Sequence, residues 1–323
     1  MTITQHQAAI TDTTRLHGRP AVRSFLAGPA LTVADLSMVL LVREDADRTE
    51  RPMPTVTVAQ IPQAVGELAT LGIRSVKVFA GSTRRDSEAS GSVATDSLMV
   101  RAIHAAKDTE PGIAVMTETC LCGYTDTGEC HLTCGGRIDL ARTAEMMAAQ
   151  AVVQAAAGAD IVGPAAMIGG TTRAVRTALD AAGHEDVAIM PHLIFHSALY
   201  DGYRTTMDAT PASGTHRPFQ ISPGQPEAAV DTGLAFLGEG ADMLLLEPAV
   251  FSVDVLTNLK QKTSAPLMPF SVSGEYMRLA PLVPGTGRRD FRPLLELFTM
   301  LKRSGADRII TYAAGDLARL LTG

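Results

Sequence analysis

All four cysteines of this 323-residue chain stand between positions 120 and 134. Cys120, Cys122 and Cys130 read C-x-C-x7-C and follow the apolar run 112–116, which has the character of a buried strand. Soft thiolates at the end of a strand are what a zinc site is built from, and three protein ligands leave one position open for water or substrate. Cys134 would close the set as a fourth thiolate, and Glu129 and His131 lie in the same stretch. Spacing alone does not choose among these sets, nor against buried or redox thiols with no metal. Four cysteines this close together are not a disulfide framework for a chain of this length. Metal binding or catalysis is the more usual use.

Other groups with chemistry sit at the ends of further apolar runs. His192, Ile194 and His196 alternate, so a continuing strand would turn all three the same way. Glu247 follows Met243-Leu-Leu-Leu246, and a carboxylate there needs a partner: His192, His196, an arginine or a metal. It reads either as a general base or metal ligand, or as half of a structural ion pair. A second metal or proton-transfer site made of His192, His196 and Glu247 is one form of the functional reading. Arg204, His216 and Arg217 lie in a polar segment rich in Gly, Pro, Thr and Ser, where they either grip a carboxylate or stand solvated.

The elements that must hold these groups come from a regular rhythm. Eight strand-length apolar runs fall at 36–42, 75–80, 113–116, 161–163, 187–190, 243–246, 267–272 and 309–312. Helix-length amphipathic segments separate most of them, at 61–71, 95–108, 139–157, 171–182, 226–239, 252–262 and 291–304. Alternation of this kind means parallel β/α units. Gly158-Ala-Asp, Gly240-Ala-Asp and Gly305-Ala-Asp each close a helix and open a strand. Eight units predict an α/β fold, a (β/α)8 TIM barrel, with its chemistry at the C-terminal strand ends. The alternative, an open doubly wound sheet, is weakened because no glycine-rich phosphate loop follows the first strand. Residues 1–30 read as an N-terminal arm and 31–323 as the barrel. Segment 201–226 reads as a lid over the strand ends.

Composition narrows the partners. Hydrophobic residues make up 46% and charged residues 19%, which predicts a large core and no extended disorder. A net charge of −6 with no basic run argues against nucleic acid and anionic membrane surfaces. No apolar run approaches the roughly 20 residues of a membrane span. The first residues lack a basic stretch followed by an apolar one, so no signal peptide is expected and a cytoplasmic location is.

Taken together, the motifs resemble the porphobilinogen synthase (δ-aminolevulinate dehydratase) family from about Arg19 to Leu321. The resemblance rests on Cys120-Leu-Cys-Gly-Tyr-Thr with Gly128-Glu-Cys130, and on Gly158-Ala-Asp-Ile-Val-Gly-Pro164. It continues through Ser197-Ala-Leu-Tyr200 with Arg204, Gly240-Ala-Asp-Met-Leu, Val272-Ser-Gly-Glu-Tyr276 and Ile309-Ile-Thr-Tyr312. It implies a barrel whose arm embraces a neighbouring subunit in a homo-oligomer, an octamer ahead of a hexamer or dimer. It implies a lyase that condenses two molecules of 5-aminolevulinate with loss of two waters. It implies catalytic zinc on Cys120, Cys122 and Cys130. Ser273 and Tyr312 match the pair holding one substrate carboxylate. Arg204 and Gln220 match groups holding the other, with His216 or Arg217 near a second arginine of that set.

The sequence also departs from the family pattern. Ile194 and Glu247 stand where the resemblance implies two lysines that form Schiff bases, and neither side chain can form an imine. Ala165-Ala166 replace Ser-Asp, Glu118 replaces an Asp, and Thr127 and Glu129 replace two histidines. The expectation is a zinc-dependent, hydro-lyase-like enzyme for a small carboxylate-bearing amino or keto acid, in a specialised pathway, with Glu247 as acid/base and Glu118, His192 and His196 beside it. The rival is an inactive homologue acting as a ligand-binding or regulatory subunit.

Overall fold

The computed structural model describes residues 18–28, 30–47, 49–212, 214 and 217–322. The chain divides into a short unit ending at Leu31 and a large one from Thr32 onward. Among the described residues of the short unit, Pro20 starts a helix, α1 (Pro20–Phe25). Phe25 is 85% exposed among the described residues, so this helix presents an apolar side chain.

The large unit is the expected barrel. Its strands are β1 (Leu36–Arg43), β2 (Ser75–Ala80), β3 (Ala114–Thr119) and β4 (Ile161–Pro164). The fifth barrel strand comes in two segments, β5 (Ala188–Ile189) and β6 (His192–Ile194), because Pro191 between them has no N–H to give. Then come β7 (Leu244–Glu247), β8 (Leu267–Ser271) and β9 (Ile309–Thr311). All pairings along this path are parallel, with β9 beside β1. β5 pairs with β4 and β6 pairs with β7, which closes the ring through the broken strand.

The helices match the amphipathic segments to within a few residues: α2 (Ile61–Thr70), α3 (Leu98–Thr109), α4 (Leu140–Ala156) and α5 (Thr171–Ala181) before the lid. Segment 201–226 is not all loop, since it opens with α6 (Asp201–Thr206). After it come α7 (Pro226–Gly238), α8 (Val253–Lys262), α9 (Ser273–Leu279), α10 (Arg292–Arg303) and α11 (Ala314–Thr322). Ser97 and Asp139 cap α3 and α4 by accepting from Val100 N and Arg142 N. The short helices α6, α9 and α11 have no matching expectation in the sequence.

The Gly-Ala-Asp repeat has a job at the barrel bottom. Its glycines take left-handed φ values of 100°, 103° and 113°, which end the preceding helices. Each aspartate then accepts an N–H from the first or second residue of the neighbouring strand. Asp160 takes Val115 N at 2.7 Å, Asp242 takes Ile189 N at 2.7 Å and Asp307 takes Leu267 N at 2.8 Å. Strand ends that would otherwise leave donors unpaired are pinned in register this way. The opposite rim is left for loops that carry the site.

Candidate active site

A cavity opens at the C-terminal ends of the strands, where the barrel architecture places chemistry. One side is made by the cysteines. The Sγ atoms of Cys120, Cys122 and Cys130 lie within 4.8 Å of one another and all three residues are buried. Cys134 is exposed on the hairpin formed by Leu132–Cys134 and Arg137–Asp139 and stands outside this trio. His131 packs edge-on against Phe219 and is also outside it. Three converging thiolates, with no fourth protein ligand among the described residues, fit a soft divalent cation with an open position.

Arg217 braces the trio from the lid. Its guanidinium donates to Cys130 Sγ at 2.5 Å and to the Ala209 carbonyl at 2.7 Å. Hydrogen bonds from Cys120 and Cys122 hold the Cys130 thiol well below its usual range, and Arg217 adds to this against the opposing effect of burial. Burial alone would weaken Arg217 as a base, but the thiolates raise its pKa. The loop is thus set to present a thiolate.

Across the cavity stands a second set. Glu247 ends β7 and pairs in register with Ile194. Its Oε1 lies 2.8 Å from His192 Nδ1, and both side chains are buried. Burial pushes the Glu247 carboxyl up to about 8, helped by the nearby Glu118 and opposed by Lys77. Burial also raises Glu118 to about 8. The Tyr203 hydroxyl donates to Glu118 Oε2 at 3.0 Å. Burial drives the His192 imidazole well below its normal pKa, so it is neutral.

Glu118, Arg204, Arg217, Gln220 and Tyr312 line the same cavity, together with Cys120, Cys122, Cys130, His192 and Glu247. The Tyr312 hydroxyl is buried without a hydrogen-bond partner, as is the Gln220 side-chain oxygen. Such atoms inside a cavity suit a polar ligand. Arg204 lies over the Tyr200 ring and within 3.7 Å of Asp201.

Two residues fall elsewhere. β6 stops at Ile194, so the alternation does not carry His196 onto the same face. Its backbone N–H bonds to Ile221, and its side chain is not among those lining the cavity. Ser273 is fully buried, donating its hydroxyl to the Leu199 carbonyl and accepting from Tyr203 N, both at 2.9 Å. It fastens the start of the lid. His216 lies outside the described residues.

Sequence reasoning missed Lys77, Phe79 and Tyr203. Phe79 and Tyr203 line the cavity, with their rings edge to face at 5.2 Å. Lys77 has a legible signal: it is the one charge in the strand Ser-Val-Lys-Val-Phe-Ala. It shares the inward face of β2 with Phe79 and is fully buried one layer below it.

With this geometry in place, comparison with known proteins is decisive. The family model described as delta-aminolevulinic acid dehydratase matches residues 11–320. The chain belongs to this family. The delta-aminolevulinic acid dehydratase of Escherichia coli is 34% identical over 310 residues, covering 94% of this chain and 95% of that one. The Synechococcus elongatus enzyme is 34% identical over 317 residues, covering 95% and 97%. The Toxoplasma gondii enzyme, solved in complex with its product porphobilinogen, superposes with a TM-score of 0.88 at 27% identity, covering 96% of this chain and 91% of that one. Membership in the family makes the cavity the place to look for lyase chemistry on a small molecule. No helix among the described residues is long and apolar enough to cross a membrane.

Proposed function

We propose that the protein is a zinc-dependent member of its family that condenses, cyclises or dehydrates a small amino or keto acid, 5-aminolevulinate or a relative, in a specialised pathway. It does so in the cytoplasm and without Schiff-base lysines at 194 and 247. The observation that carries this reading is the Glu247–His192 pair at 2.8 Å, facing three clustered thiolates across one cavity. A barrel that merely bound a ligand would not need a buried carboxyl poised near neutral pH.

Cys120, Cys122 and Cys130 hold the ion. When bound there, zinc supplies Lewis acidity toward a substrate carbonyl or a water. Arg204, Arg217 and Gln220 hold a substrate carboxylate, and Tyr312 offers its hydroxyl to the same molecule. Glu247, as the carboxylate, takes a proton from the substrate, and as the acid returns one to the departing oxygen. His192 Nδ1–H orients that carboxylate, and Tyr203 orients Glu118. The lid excludes water while these transfers occur. Ser273 acts by fixing the lid in place. The arm, residues 1–30, embraces a neighbouring copy in a homo-oligomer, octameric ahead of hexameric or dimeric. The exposed Phe25 supports this role.

The test is zinc content and turnover of labelled 5-aminolevulinate and related acids, with Cys122→Ala as control. Zinc bound at one per chain and turnover lost with Cys122 is the expected result. Full activity in metal-free protein would sink the reading. The isoleucine at 194 favours a second possibility, a ligand-binding or regulatory subunit. Tight binding of these acids with no conversion, in zinc-loaded protein, would select it.

A further inference from the structure

Lys77 has no part in the chemistry assigned above, yet its surroundings are unusual. Its Nζ donates to the Thr117 carbonyl at 2.7 Å, and the side chain is fully buried. One carbonyl does little for a buried ammonium, which needs opposite charge nearby. Glu118 and Glu247 supply that charge and oppose the effect of burial.

His192 stands between Lys77 and Glu247. Its Nδ1 faces Glu247 Oε1, and its Nε2 is buried with no hydrogen-bond partner. The imidazole is neutral, so only one ring nitrogen carries a proton. With Glu247 ionised, that proton sits on Nδ1, and Nε2 keeps its lone pair.

Gly163 shows how near that lone pair is to the ammonium. A Cβ at Gly163 would stand 2.5 Å from Lys77 Nζ and 3.1 Å from His192 Nε2. The two nitrogens therefore flank one bare Cα on β4. Any larger residue there would displace one of them.

We propose that Lys77, His192 and Glu247 form a buried charge triad in which Lys77 is a positioning residue: its ammonium faces the His192 Nε2 lone pair, fixes the Nδ1–H tautomer and favours the ionised form of Glu247 at the cavity. This deepens the proposed role of Glu247 and rests on it only for the consequence in turnover. Burial lowers the Lys77 ammonium to about 8 against the pull of Glu118 and Glu247, so it acts as a cation below that pH. In the transfer itself Glu247 changes state, from carboxylate to acid when it takes a proton from the substrate.

Other groups face Glu247 as well. Glu118 from β3 and Glu275 from α9 disfavour its charge, and Arg204 from the lid helix favours it. The Tyr200 and Tyr312 hydroxyls adjoin it and stay protonated, their pKa values raised chiefly by burial. Lys77 is the only ammonium in this set, so removing it has a predictable sign.

The experiment needs no substrate, so its outcome is independent of whether the proposed reaction is correct. The full-length, zinc-loaded protein is titrated by infrared spectroscopy, and the carboxyl band absent from Glu247→Gln is followed with pH. In Lys77→Met the midpoint should rise by about one pH unit or more. Lys77→Gln keeps a donor for Thr117 and should show the same rise if the Met variant does not fold. Lys77→Arg should restore the midpoint toward the parent value. A midpoint unmoved in a folded Lys77→Met or Lys77→Gln variant overturns the triad, as does an equal rise in Lys77→Arg.

Discussion

Replacing Glu247 by Gln should make the protein more stable, and the gain should grow with pH. The carboxyl is fully buried and its pKa is raised from 4.5 to about 8, chiefly by desolvation. A carboxyl whose folded pKa is raised favours the folded state at low pH, where it is neutral in both states. As pH climbs through 4.5, the unfolded chain ionises freely while the folded one resists. Stability then falls by about 1.4 kcal/mol per pH unit until the folded midpoint is reached. Glu118 and Lys77 titrate over the same range and share the effect, so we assign roughly 2 kcal/mol to Glu247 itself. Gln has nearly the same shape, and its amide oxygen still accepts from His192 Nδ1. The variant should therefore melt at the parent temperature near pH 5 and about 4 °C above it near pH 8. Calorimetry at matched ionic strength reads this directly. Turnover, where measured, should fall by about 100-fold or more, as for loss of a general base. A melting difference that is flat with pH, or that favours the parent at pH 8, would refute the picture of Glu247 as a carboxyl held against its own ionisation.

Three more expectations follow from the geometry. Cys122→Ala should hold less than one zinc per chain after dialysis against a mild chelator, while circular dichroism shows the barrel intact. Arg217→Ala should weaken binding of a carboxylate ligand by about 10- to 100-fold, the usual worth of a charged hydrogen bond, and should raise the Cys130 thiol pKa in thiolate absorbance titrations. Asp307→Ala should leave Leu267 N without its acceptor at the barrel bottom. That should lower stability by about 1–2 kcal/mol in denaturant melts, with ligand binding unchanged.

Much of the fold is legible in the sequence because period and punctuation agree. Strand runs such as 75–80 and helices such as 61–71 appear almost as read, since an apolar run between glycine-ended helices has few other uses. The Gly-Ala-Asp repeat marks strand starts but does not reveal that each aspartate binds the strand beside it, a contact made across the sheet. The site is legible where spacing is local. Cys120, Cys122 and Cys130 converge as expected because one loop carries them. His192 and Glu247 also meet, since neighbouring strand ends bring them together. His196 does not join them, because the chain leaves the strand after Ile194, and a two-residue alternation cannot show where a strand stops. Ser273 fastens the lid through contacts with Leu199 and Tyr203, 74 and 70 residues away in sequence. Lys77 is visible as a charge in an apolar strand, but its meaning depends on the bare Cα of Gly163, which only folding supplies.

The central claim is that this cavity works on a small carboxylate-bearing acid without an imine. The most direct measurement is incubation of the zinc-loaded protein with isotopically labelled 5-aminolevulinate or a related keto acid in the presence of borohydride, followed by mass spectrometry of both the small molecules and the intact chain. The account predicts labelled product and an unmodified chain. A reduced adduct on any lysine, or acid recovered unchanged, would contradict it.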